Sequence, residues 1–249
     1  MKKSYRSTMA GALALPVLLL SGCLFTTRRL PVPKAPSFVQ TVQPEDLVLI
    51  CWSGHGYADR GGVFHLMTSD LGQTGEPTSP EVLGRGVSSD DLSAWLRDVD
   101  AGELALVIDA CHSAASVEGE GFKPGPLGSR GLGQLAYDKG MSVLAASQAE
   151  QPASEDAQLG HGLLTYALVD EGLGAAKAAD PGGVVTLKGW LEYGVERVPK
   201  LCEELARGTF QRGAVLATRP APGDEIAQRP GLFSFRRAAA EVVLDRARP

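Results

Sequence analysis

The chain has 249 residues, 44% of them hydrophobic and 21% charged, enough apolar surface for one sizeable domain or two small ones. Its formal net charge is -5, and basic residues form no run longer than the pairs Lys2-Lys3, Arg28-Arg29 and Arg236-Arg237, so no nucleic-acid partner is expected. HExxH, Walker and G-x-S-x-G patterns are absent, which removes metalloprotease, nucleotide-hydrolase and serine-hydrolase readings.

At the N-terminus, Lys2, Lys3 and Arg6 precede an eleven-residue apolar run, Ala10 to Leu20. A membrane-spanning helix needs about 20 apolar residues, so the run suits an export signal better than a span. It ends in Leu20-Ser21-Gly22-Cys23, which resembles the lipobox of bacterial lipoproteins. That resemblance implies that residues 1–22 are a signal peptide outside the fold and that Cys23 is lipidated as the first mature residue. An ordinary signal peptide with an accidental cysteine is the alternative. Removing residues 1–22 deletes three cations and no anions, taking the formal charge from -5 to -8. Leu24, rather than an aspartate, follows the cysteine, which by analogy favours the outer membrane. The expected location is therefore the cell envelope, lipid-anchored and periplasm-facing. Cys51, Cys111 and Cys202 remain, and an odd number in an oxidising compartment leaves at least one thiol unpaired.

Residues 23–45 read as a tether, Pro- and Thr-rich over Thr26 to Pro44 and without periodicity. Leu47 to Trp52 predicts a buried strand, and Gly61 to Gly86 a loop-rich segment with a short hairpin around Val63–Met67. Ser88-Ser89-Asp90-Asp91 begins a predicted helix with an N-cap serine and acids in its first turn, and its stripe is Leu92, Trp95, Leu96 and Val99. Leu104–Ile108 is a second buried strand, Gly119 to Gly133 a long loop, and Met141–Ala146 a third strand. Helices follow over Gly162 to Glu171 and Leu187 to Leu205, the latter broken near Pro199. Ala214–Ala217 predicts a fourth strand. Residues 221–249 form a tail with a helix near Arg237–Asp245. Short apolar strands alternating with helices argue for an α/β fold with a mostly parallel sheet, covered on both faces over residues 46–220.

Parallel sheets collect reactive groups at the carboxyl ends of their strands. Two apolar runs end in this way: "LVLICWSGHG" delivers His55 between glycines, and "LALVIDACHS" delivers Cys111, 56 residues later. Neighbouring parallel strands would bring the two together. An imidazole beside a cysteine can hold it as thiolate, or take its proton and pass it to a leaving amine. The Gly56 and Cys111 backbone N–H groups could then face the developing oxyanion.

"SGHG" followed by "DACHS" resembles the caspase-like cysteine peptidases, closest to the metacaspase-type bacterial branch. In caspases the histidine precedes the cysteine by about 50 residues. "GMSVLAASQAEQPASED" and "GHGLLTYALVDEG" resemble that family's next strand, substrate loop and helix. The resemblance implies a three-layer sandwich in which His55 is the general base and acid and Cys111 the nucleophile. It also implies that Ser53, Asp109 and Ser147 line the S1 pocket. An acid at the pocket floor favours Arg or Lys at P1. The implied activity is a cysteine endopeptidase with a polypeptide substrate, attached to the membrane through its lipid anchor. Family members are often calcium-stimulated, but no acidic loop here assigns ligands, so no cofactor and no metal site are expected.

The family normally carries two strands and helices before its SGHG strand. Here only 29 residues separate Cys23 from Ser53, and most read as tether, so the first strands of the family fold are expected to be missing. Three outcomes fit that loss: a minimal domain, a partner chain over the open sheet edge, or a catalytically inactive binding or scaffold lipoprotein. Single residues carry plainer readings too. His55 could be a core histidine closing a turn, Cys111 a buried structural residue, and Asp109 a strand-end carboxylate capping backbone N–H groups. Cys51, four residues before His55, invites a zinc reading with Cys111, His112 and His55, but no zinc-site spacing matches, and a buried apolar role is expected.

Overall fold

The computed structural model describes residues 17–21, 42–59, 63–68, 79–112, 130–146, 155–156, 161–212, 215–216, 228–236 and 241–246. In chain order the elements begin with β1 (Val17–Ser21), β2 (Leu47–Ala58), β3 (Phe64–Met67), α1 (Pro80–Leu83), β4 (Val87–Ser88), α2 (Ser89–Arg97) and β5 (Glu103–His112). Then come α3 (Arg130–Lys139), β6 (Ser142–Ala145), β7 (Glu155–Asp156), β8 (His161–Gly162) and α4 (Leu163–Thr165), which runs into a π-helix over Tyr166–Gly174. The chain closes with β9 (Val184–Thr186), α5 (Leu187–Arg207), β10 (Gln211–Arg212), β11 (Val215–Leu216), β12 (Gly231–Ser234) and β13 (Val243–Arg246).

The architecture is α/β. Seven strands form one mixed sheet in the order β12-β6-β5-β2-β3-β4, with β1 also on β2. The β1–β2, β2–β5 and β5–β6 pairs are parallel, while β3, β4 and β12 are joined antiparallel. Strand alternation divides the core in two. Leu47, Leu49, Ala105 and Val107 meet α4, the π-helix and α5 on one face. Val48, Ile50, Leu104 and Leu106 meet α2 and α3 on the other. Both faces of the central strands are therefore dry, which is why β2 and β5 read as unbroken apolar runs.

Helix starts follow local chemistry. The Ser88 hydroxyl accepts from Asp91 N–H at 3.0 Å and the Asp91 carboxylate accepts from Ser88 N–H at 3.0 Å, a reciprocal cap at the expected residue. Thr186 caps α5 in the same manner through Gly189 N–H, and α5 ends at Gly208 in a left-handed conformation.

Several expectations are corrected. β2 and β5 run on past Trp52 and Ile108, where the predicted strands end, through the SGHG and DACH segments, so His55 lies within a strand. The extension exists because β3 folds back on β2, setting His55 opposite Met67 and Ala58 opposite Phe64. Val17–Ser21, within the stretch expected to be a signal peptide, lies parallel to β2 over Leu49–Ser53. The helix over Leu187–Arg207 passes through Pro199 unbroken, held by buried Val198, Leu201, Cys202 and Leu205. Val215–Leu216 pairs with β10 and stays apart from the main sheet. The tail helix predicted near Arg237–Asp245 falls partly outside the described residues; in its described part Val243–Arg246 is a strand, paired antiparallel with β9 in a two-stranded sheet.

Candidate functional site

The parallel register of β2 and β5 builds the site. Ser53 stands opposite Asp109, and His55 stands opposite Cys111. Neighbouring strands run about 4.8 Å apart, so paired residues sit within side-chain reach. The ideal Cβ position of Gly56 points at the Phe64 ring and Ala110, on the α2–α3 face. Ser53 and His55 therefore belong to the opposite face, which α4 approaches. His55 is exposed and Ser53 half-buried. Gly54 between them has φ 154°, a backbone conformation that a side chain would strain.

Asp109 is 4% exposed and held by α4. Its Oδ2 accepts from Thr165 N–H at 2.8 Å and from the Thr165 hydroxyl at 2.5 Å, and that same hydroxyl reaches Ser53 Oγ at 3.5 Å. Gly162 makes this approach feasible, since a Cβ there would lie 2.4 and 2.5 Å from the two Asp109 oxygens. Thr165 and Gly162 were not singled out as site residues. The signal that could have found them is "GHGLLT", a glycine and a threonine bracketing the first turn after a strand.

Gly56 is buried in the β2 ladder, opposite His112 on one side and Leu66 on the other. The side chain of Cys111, together with Ser147 and Cys23, lies outside the described residues. Cys51 faces the α5 side two positions before Ser53, and burial pushes its thiol up to about 11. Burial also raises the Cys202 thiol. Among the described residues no three His, Cys, Asp or Glu side chains are grouped to hold a metal ion. No described helix is long and apolar enough to cross a membrane.

Chemically, the rim offers an exposed imidazole opposite a cysteine position, with Ser53 and Asp109 two residues deeper on the two strands and joined through the Thr165 hydroxyl of α4. No family model matches the chain, and no curated protein matches its sequence.

Proposed function

We propose that the chain is a lipid-anchored cysteine endopeptidase of the caspase-like fold, working through a Cys111–His55 dyad and cleaving after Arg or Lys. The observation that carries this reading is the parallel register that sets His55 opposite Cys111 at the carboxyl ends of β2 and β5. Cys111 Sγ attacks the scissile carbonyl carbon and the carbonyl oxygen becomes an oxyanion. The N–H groups of Gly56 and Cys111 face it. His55 carries the thiol proton to the leaving amine as the C–N bond breaks, leaving an acyl-enzyme. Water, deprotonated by His55, then releases the carboxylate product and restores the thiol. Ser53, Asp109 and Ser147 form the S1 pocket, and Asp109 supplies the charge that a P1 cation seeks.

The test is hydrolysis of a fluorogenic peptidyl-Arg amide by purified protein. Turnover is expected to fall by at least 100-fold in both Cys111→Ala and His55→Ala, within the range for loss of a nucleophile or its base. Turnover that survives both substitutions contradicts the dyad. A wild-type protein that is folded but inert leaves the binding-lipoprotein reading in its place.

A further inference from the structure

We infer that Thr165 is a positioning residue for the pocket carboxylate: it fixes Asp109 at the point where a P1 guanidinium or ammonium is read, so it governs selectivity for a basic side chain. This rests on the peptidase reading above and adds a residue that the motif comparison did not assign. Both donors of Thr165, backbone and side chain, converge on a single Asp109 oxygen, at 2.8 and 2.5 Å. Two donors from one residue fix a carboxylate in direction as well as place, because the backbone N–H is rigid in α4 and the hydroxyl follows from the side-chain rotamer. The 3.5 Å approach of the hydroxyl to Ser53 Oγ joins β2, β5 and α4 at one point, two residues below the His55–Cys111 rung.

Gly162 provides an independent handle on the same carboxylate. Its φ is -69°, which alanine adopts without strain, yet an added Cβ would fall 2.4 and 2.5 Å from the Asp109 oxygens. Gly162→Ala therefore displaces the carboxylate while leaving both Thr165 donors in place, whereas Thr165→Val removes the hydroxyl donor at nearly constant volume.

The experiment compares kcat and KM for two fluorogenic substrates, one with P1 Arg and one with P1 Gln, across wild type, Thr165→Val, Thr165→Ser and Gly162→Ala. The expected result is an increase of about tenfold in KM for the Arg substrate in Thr165→Val and Gly162→Ala, the equivalent of about 1.4 kcal/mol. The Arg-over-Gln preference falls to match, kcat stays within about threefold, and Thr165→Ser recovers the wild-type preference. A kcat loss equal for both substrates, an unchanged Arg-over-Gln ratio, or no recovery in Thr165→Ser overturns the inference and leaves the dyad standing. Failure of the wild type to turn over either substrate removes the peptidase reading and the inference with it.

Discussion

Cys51 and Cys202 carry the same thiol as the proposed nucleophile, yet their positions keep them out of the chemistry. Cys51 packs in the core between Leu49 and Ser53, where burial pushes it up to about 11, and Cys202 is buried on α5. Only the thiolate reacts, so at pH 8 the Cys51 population available to an alkylating agent is far below that of an ordinary thiol near 8.5. In the folded protein, iodoacetamide at pH 8 is expected to leave Cys51 and Cys202 unmodified and to modify both once the chain is denatured. Peptide mass mapping reads the outcome, and rapid labelling of Cys51 in the native protein would contradict the assignment. At this scale, local text showed which residues the two apolar runs lead to, although β2 and β5 run on past the predicted ends. His55 and Cys111 each follow an unbroken apolar run, and the chemistry needed from each is local. Thr165 was hidden because its partner, Asp109, is 56 positions away and nothing near "LLTYA" advertises it.

Element scale is governed by α5 and the π-helix packed on it. Trp190 on α5 donates its indole N–H to the Leu168 carbonyl at 2.8 Å, and Glu171 of the π-helix lies buried against α5. Burial alone would raise the Glu171 carboxyl, but hydrogen bonds from Arg197 and Lys177 outweigh it and hold the group below its ordinary range. Arg197 bridges on to Glu204, and Tyr193 donates to the same Glu171, with burial pushing the phenol up to about 12. Arg197→Ala, which leaves the buried Glu171 carboxylate to Lys177 and Tyr193, is expected to cost about 2 kcal/mol in denaturant unfolding. The pH dependence has a definite sign. A carboxylate depressed in the fold contributes stability above its unfolded pKa of about 4.3 and loses it as pH falls through the lower folded value. The stability of Glu171→Gln should therefore decline less steeply than wild type as pH drops below about 4, and an equal decline would place the linkage elsewhere. Capping chemistry made the start of α2 legible to the residue, because Ser88 and Asp91 act within one turn. Tail and helix interiors were less legible. The Ala-rich stretch after Arg237 favours a helix by propensity, but the partner strand β9 decides the outcome for Val243–Arg246. Pro199 removes one hydrogen bond from α5, and four buried side chains around it hold the helix regardless.

At the scale of the whole molecule, β2 holds the central place. β5 lies along Leu47–Gly56 on one side, while the other side is shared between β1 over Leu49–Ser53 and β3 over His55–Ala58. Alternating apolar runs and helices made the α/β class legible. The hairpin expected around Val63–Met67 holds β3, but β4 and β12 were not legible, since runs of two to four residues carry too little periodicity to assign a partner or direction. Val17–Ser21, the residues that resemble the end of an export signal, lie along the β2 edge over Leu49–Ser53. What remains central to the proposal is that His55 and Cys111, 56 apart in the chain, stand opposite each other in register. A peptidyl-Arg chloromethylketone tests that most directly, read by intact mass and by mapping of the labelled peptide. One adduct per chain on Cys111, lost in His55→Ala while the fold is retained, is the predicted result. A protein that takes up no label, or one labelled equally fast with and without His55, would contradict the account.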